Sequence, residues 1–336
     1  MPLHASSEPL ISSYDLAMLD LDGVVYRGEL EVPHAVATIG DLHGKKVPLA
    51  FLTNNASRTA AEVAEQIRGF GLQVGETDVV TAGEAIARIV AESAPRGSAV
   101  LVVGGAGLMI PLANWGLTCV SSADENPVAV VQGFHPDVGW RNLAEASYAI
   151  QGGVAWYVSN LDQTFPSARG TAPGNGALVE TVRRATGAEP VASAGKPERG
   201  LFMEALRRTG ATRPLMVGDR IDTDIVGALN CGIDALHVLT GISDLDEVSR
   251  LSPDRRPHYV APDLRSLLQE HPEVVVDGVR AACGSAIAEA NDNGEVTLSA
   301  GRPGSLEAVR AVVAAAWKHL DETGRMPRLV GAALEH

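Results

Sequence analysis

The run Leu16-Ala17-Met18-Leu19-Asp20-Leu21-Asp22-Gly23-Val24 decides the architecture. Leu16–Leu19 reads as a short apolar strand, and two carboxylates follow at its end. Side chains in a strand repeat every two residues, so Asp20 and Asp22 project to one face unless the chain bends as it leaves the sheet. Open α/β sheets bind ligands outside the carboxyl ends of their strands, where this pair would lie. A solvated acidic turn with Gly23 as its flexible member is the plainer alternative for the tetrapeptide alone. Working outward, further apolar strands are expected at Pro48–Leu52, Val100–Val103, Val128–Val131, Val154–Val158, Leu215–Val217 and Ala235–Val238. Helical patterns alternate with them: Val63, Ile67 and Phe70 share one face, as do Leu201, Phe202, Ala205 and Leu206, and Gly232 marks the end of a helix over Asp222–Cys231. Strands alternating with helices define an α/β protein built on a parallel sheet.

The chain has 336 residues, 46 % hydrophobic and 20 % charged, and a formal charge of −14. That length calls for two or three domains, and that composition for packed cores rather than disorder. The charge has the wrong sign for nucleic acid or an anionic membrane, so neither is an expected partner. Cys119, Cys231 and Cys283 are scattered and odd in number, in keeping with a reducing cytoplasm and with no zinc site. Residues 1–14 do not read as a secretory signal, and the most apolar stretch, Ala99–Ala113, is too short to span a bilayer. Leu334-Glu335-His336 resembles the stub of an expression tag.

A second acidic strand end reads Leu215-Met216-Val217-Gly218-Asp219-Arg220-Ile221-Asp222-Thr223-Asp224. Asp219 stands at the strand exit and Asp224 on the first turn of the next helix, while Asp222 suits a helix cap. If the two acidic strands are neighbours, Asp20, Asp22, Asp219 and Asp224 converge. Four such carboxylates call for a hard divalent cation, for which Mg²⁺ is the natural candidate. Two other strand ends carry donors for an anion. Thr53-Asn54-Asn55 offers a hydroxyl and backbone N–H groups before a helix, and Gly195-Lys196-Pro197 places a lysine at a helix start.

The ordered set Asp20-x-Asp22, Thr53-Asn-Asn, Lys196-Pro and Gly218-Asp219-Arg-x-x-Thr-Asp224 resembles the haloacid dehalogenase (HAD) superfamily of phosphotransferases. Its particular forms resemble the phosphatase branch with a large α/β cap, which includes p-nitrophenylphosphatase, phosphoglycolate phosphatase and pyridoxal phosphatase. The resemblance implies a Rossmann-like parallel-sheet core and an inserted α/β cap, and the stretch after Glu270 adds a small C-terminal α+β appendage. It also implies a Mg²⁺-dependent phosphatase acting on a small phosphorylated metabolite, with glycerol 3-phosphate ahead of phosphoglycolate and pyridoxal phosphate. Asp20 would be the nucleophile and Asp22 the general acid/base. Asp20, the Asp22 carbonyl and Asp219 would hold the metal, with Asp224 steadying its waters, and Thr53, Asn54 and Lys196 would hold the phosphate. In the cap, Ser159-Asn160-Leu161-Asp162-Gln163-Thr164-Phe165-Pro166 resembles the segment facing the active site, which makes Asn160 and Asp162 candidate substrate contacts. The family often has Asp where this chain has His135 in Gly133-Phe134-His135-Pro136-Asp137. A homodimer through the cap is a further implication.

Thr53 and Lys196 lie 143 positions apart, so an insertion of roughly 100 residues is expected between core segments. The division becomes core 14–82 and 179–270, cap 83–178 and extension 271–333. In the extension, Arg280–Ala290 and Glu295–Ser299 flank Asn291-Asp292-Asn293-Gly294 as a hairpin, and Ser305 caps a helix over Leu306–Leu320, giving a ββα unit. Two rivals remain at this stage. Val102-Val103-Gly104-Gly105-Ala106-Gly107 is an incomplete dinucleotide fingerprint, which would suit an NAD-dependent oxidoreductase, and the acidic cluster could hold a cation in a non-catalytic binding module.

Overall fold

The computed structural model describes residues 2–167 and 169–331; the proposed tag stub and the last residues assigned to the extension lie outside them. The chain forms two compact units, one made of residues 1–49 and 210–336, the other of 50–209. Both borders expected for the cap, at 83 and 178, fall inside the second unit. Among the described residues no helix is long and apolar enough to cross a membrane; the apolar stretch 99–113 is instead a strand, Ala99–Val103, followed by most of a helix, Ala106–Asn114.

In the first unit four parallel strands lie in the order Tyr259–Ala261, Asp234–Val238, Pro214–Gly218, Leu16–Asp20. Leu16, Ala17, Met18 and Leu19 have no solvent exposure, nor have Leu215, Met216 and Val217 opposite them. A near-continuous apolar run is what a parallel strand covered on both faces requires. The register Leu19↔Val217 brings Asp20 and the Gly218-Asp219 exit to the same sheet edge. This is the convergence the two acidic motifs call for.

The extension departs from the expected ββα unit. Its strands Val274–Asp277, Arg280–Cys283, Ala286–Ala290 and Glu295–Ala300 are successively antiparallel, and Arg328–Leu329 adds a fifth in parallel. The arm expected as one strand over 280–290 is broken at Gly284, whose φ of +54° is a turn conformation favouring glycine. Helix Leu306–Thr323 is capped by Ser305, whose Oγ accepts from Ala308 N at 3.2 Å. Its burial is not limited to the face of Val309, Val312, Val313 and Trp317; Ala308, Arg310, Ala311, Ala315 and Ala316 are buried too. The cause is that it packs against the extension's sheet and against the core elements Leu245–Ser249 and Tyr259–Ala261. Three contacts lock it there. Trp317 Nε1 donates to Val248 O at 2.8 Å, the Arg256 guanidinium stacks on Trp317 at 4.7 Å, and Arg256 makes a two-pronged ion pair with Asp321 at 2.7 Å. Arg310, fully buried, donates to Pro272 O at 2.9 Å and to His4 O at 2.7 Å, so this helix also grips the N-terminal arm.

The second unit carries the parallel pair Leu49–Thr53 and Val79–Thr81 at its start. A five-stranded parallel sheet follows, in the order Ala192–Ser193, Ala155–Val158, Ala129–Gln132, Ala99–Val103, Thr118–Val120. Val103, Val130, Trp156 and Val158 form its core with Ala146 and Ile150 of helix Trp140–Gln151 and Val179 and Val182 of helix Asn175–Thr186. The hairpin Thr164–Ser167 and Gly170–Pro173 forms a separate two-stranded ribbon that packs on helix Asn175–Thr186.

Candidate active site

The acidic set of the first unit gathers three carboxylates, not four. Oxygens of Asp20, Asp219 and Asp224 lie within 4.8 Å of one another. Asp20, only 8 % exposed, ends its strand, and Asp219 and Asp224 are buried. The Asp22 carboxylate is exposed and outside this trio, because the chain leaves the sheet after Asp20 and coils over one carbonyl. Val25 N and Tyr26 N both donate to Leu21 O, at 2.9 and 3.1 Å, and Gly23 turns with φ +87°. The strand alternation that would align Asp22 with Asp20 ends at that turn.

Backbone groups hold two of the three, Asp219 and Asp224. Ile242 N donates to Asp219 Oδ2 at 2.8 Å, and Ser243 N to Asp219 O at 3.0 Å. Arg220 N donates to Asp224 Oδ2 at 3.1 Å. A Cβ on Gly23 or Gly241 would run into the Asp219 carboxylate, and one on Gly218 into Asp224, so three glycines wall a cradle shaped to these oxygens. Residues Ile221–Ile225 form a π-helical turn rather than an ordinary first α-turn, a widening that often accompanies functional sites. Asp222 does not cap the helix. It takes both ends of the Arg220 guanidinium at 3.0 and 2.7 Å; burial would raise its carboxyl, but this pairing outweighs it and holds the group below the usual carboxylate range.

The loop after strand Asp234–Val238 braces the trio, and no sequence motif pointed to it. Thr240 Oγ1 donates to Gly23 O at 2.6 Å, and Arg27 donates to Thr240 O. His237, fully buried, shares a 2.9 Å hydrogen bond with Ser243 O, and burial pushes its imidazole down to about 4. A close-packed group of three buried carboxylate oxygens fits a small, hard divalent cation.

The second unit brings Thr53, Asn54, Asn160, Asp162 and Lys196 together. Thr53, at a buried strand end, has its Oγ1 accept from Asn55 N at 3.1 Å, which leaves the hydroxyl proton for another acceptor. Asn54 turns its side chain onto the backbone of Lys196: Oδ1 accepts from Lys196 N at 2.7 Å and Nδ2 donates to Lys196 O at 3.0 Å. Its Nδ2 also donates to the Asp162 carboxylate at 3.1 and 3.3 Å. Asn160 holds the same loop from another side, Nδ2 donating to Asn54 O at 2.7 Å. Lys196 is 3 % exposed. Gly195 permits the approach, since a Cβ there would lie 2.7 Å from Asn160 Cβ and 2.8 Å from Asn54 Oδ1. Asn160 and Asp162, expected to read the substrate, both bond to the loop that carries Asn54.

The dinucleotide reading fails on packing. A Cβ on Gly107 would meet the carbonyls of Ala56 and Arg58, and one on Gly105 the His135 ring, so the glycines are covered by this chain itself. His135 lies against Gly105, its Nδ1 accepting from Asp137 N at 3.3 Å.

Residues 17–118 match the haloacid dehalogenase-like hydrolase family, and residues 193–267 match a second HAD-hydrolase-like family. The chain belongs to the haloacid dehalogenase-like hydrolases, and among them it is a phosphatase. It is 38 % identical over 312 residues, 92 % of its length and 87 % of the relative's, to D-glycerol 3-phosphate phosphatase of Mycobacterium tuberculosis. It is 35 % identical to the acid sugar phosphatase of Staphylococcus aureus, over 77 % of this chain and 99 % of that one. Among solved structures, glycerol phosphate phosphatase of M. tuberculosis in complex with magnesium superposes with a TM-score of 0.82 at 37 % identity, covering 97 % of this chain and 95 % of the other. The p-nitrophenyl phosphatase of Archaeoglobus fulgidus gives 0.71 at 28 % identity, covering 76 % and 98 %. A match of 312 residues necessarily runs into the extension, whereas the staphylococcal relative is almost used up by 262.

Proposed function

We propose that this phosphatase hydrolyses glycerol 3-phosphate to glycerol and phosphate in two in-line steps. In the first, an Asp20 carboxylate oxygen attacks phosphorus, the bond from phosphorus to the alcohol oxygen breaks, and Asp22 protonates the departing alkoxide. In the second, Asp22 takes a proton from water, the water oxygen attacks phosphorus, and the phosphorus bond to Asp20 breaks to release phosphate. The exposure of Asp22, outside the acidic trio, suits a group that gives and takes protons. Mg²⁺ is the cofactor; Asp20, Asp219 and the Asp22 carbonyl would hold it with Asp224 behind them, and when bound it would offset the repulsion between a carboxylate and a phosphate ester. Lys196, the Thr53 hydroxyl and the Asn54 N–H hold the phosphate oxygens on which charge spreads.

The observation that carries the substrate is the match to the mycobacterial glycerol 3-phosphate phosphatase across the extension as well as the core. The test is phosphate release from glycerol 3-phosphate, phosphoglycolate and pyridoxal phosphate. The expected result is a kcat/KM for glycerol 3-phosphate at least about tenfold above the others, a difference worth ~1.4 kcal/mol in the transition state; preference for either rival overturns the assignment. We also propose that the enzyme works in the cytoplasm, without nucleic acid or membrane, as a homodimer joined through its cap. Supporting the pairing, helix Trp140–Gln151 exposes Trp140 by 76 % and Tyr148 by 55 %. Sedimentation of Trp140→Glu beside the parent protein tests it, a monomer being expected only for the variant.

A further inference from the structure

We infer that Asp162 is a positioning residue for the phosphate-binding lysine and acts on it through Asn54. The inference rests on the reading that Lys196 holds the substrate phosphate. An asparagine amide has one acceptor oxygen and a two-donor nitrogen. At Asn54 the oxygen takes Lys196 N at 2.7 Å, while the nitrogen serves Lys196 O at 3.0 Å and the Asp162 carboxylate at 3.1 and 3.3 Å. The Asp162 carboxylate takes the second N–H of Nδ2, so that with Lys196 O both donors of the amide are used. Without it, the amide would lose its third anchor and gain freedom to rotate away from the lysine's backbone.

Asp162 is itself held in place. Its N–H donates to Asn160 Oδ1 at 3.2 Å, and its carbonyl accepts from Gly176 N at 2.8 Å. Asn175 Nδ2 donates to Asn160 O at 2.7 Å, so the start of helix Asn175–Thr186 carries the whole loop. A Cβ at Gly174 would strike Asp162 O, and one at Gly176 would strike Leu161 O, which explains both glycines of Pro173-Gly174-Asn175-Gly176. A charged group seated this firmly on a rigid element and bonded to the residue that clamps Lys196 transmits position, and misplacing a reacting group by an ångström costs on the order of 100-fold.

The experiment measures kcat, KM and Tm for Asp162→Ala, Asn54→Ala, the double variant, Asp162→Asn and Lys196→Met. Asp162→Ala should lower kcat roughly 10- to 100-fold with KM changed less than about threefold. The double variant should be no worse than Asn54→Ala alone, since the two act in series. Asp162→Asn keeps an acceptor oxygen in the same volume and should recover to within about threefold of the parent, a rescue that loss of fold alone would not give. Asp162→Ala within twofold of the parent, multiplicative losses in the double variant, or Asp162→Asn as impaired as Asp162→Ala overturns the inference. Lys196→Met separates the two readings: retained activity defeats the phosphate role itself, whereas its collapse beside multiplicative losses defeats only the positioning role.

Discussion

The acidic set and the lysine set solve opposite electrostatic problems by opposite means. In the first unit three like charges are forced together, and the restraint comes from backbone N–H groups and from glycines whose missing Cβ atoms leave room for carboxylate oxygens. In the second unit a single cation is placed by neutral amides, with Asn54 and Asn160 forming a network anchored by Asp162. Repelling charges need a frame that cannot relax, whereas one lysine needs its stem pointed. The first set should therefore fail most abruptly at Asp20, and the supports of the lysine, Asn54 and Asp162, by degrees.

The largest effect is expected at Asp20, the proposed nucleophile. Asp20→Asn should cut phosphate release by more than about 1,000-fold while the far-ultraviolet circular dichroism is unchanged; activity within tenfold of the parent would end its assignment. Lys196→Met should come next, losing roughly 100- to 1,000-fold, mainly in kcat, because its interaction strengthens as charge spreads on the phosphate. Asp224→Ala, behind the direct ligands, should cost about 10- to 100-fold, with much of the loss recovered at raised Mg²⁺. A loss at Asp224 that added Mg²⁺ leaves untouched would remove the metal from its explanation.

The smallest effect concerns acid. Burial pushes His237 and His271 down to about 4 from an ordinary 6.5, and burial also lowers His258. A lowered histidine stays neutral in the folded chain while the unfolded chain takes up protons between pH 6.5 and 4. The stability it contributes is whole above 6.5 and is lost as pH falls toward 4. All three lie in the first unit. Tm should fall by on the order of 10 °C between pH 7.5 and 4.5, and hydrogen exchange at pH 4.5 should show residues 210–331 opening before 50–209. Equal opening of both units would refute this division of the acid sensitivity.

Much of the core was legible because parallel strands announce themselves as unbroken apolar runs, and the strands ending at Asp20, Thr53 and Gly218 stand where the pattern places them. The extension was harder for a local reason. Arg280–Cys283 and Ala286–Ala290 are built largely from alanine, which carries no β-signal, so their separation by Gly284 was hidden. Asn54 posed a different problem. Thr53-Asn54-Asn55 reads as an anion-binding strand end, yet the Asn54 side chain serves Lys196, 142 positions away, and Asp162, 108 positions away. Nothing local encodes a partner at that distance. Asp22 was misplaced for want of the turn at Leu21–Tyr26, and the bracing loop around Thr240 and Ser243 carries no motif at all.

The grip of Arg310 on His4 O and Pro272 O bears on the order in which the protein is made. Residues 50–209 form one continuous unit and emerge from the ribosome as a complete set. Residues 1–49 emerge earlier but belong with 210–336. One edge of the strand bearing Asp20 must therefore wait until Pro214–Gly218 has been synthesised, and the arm at His4 waits longer still for Arg310. On a growing chain Asp20, the proposed nucleophile, is among the first groups translated and meets Asp219 and Asp224 only about 200 residues later, so the early segment is the part most exposed to chaperones and to aggregation.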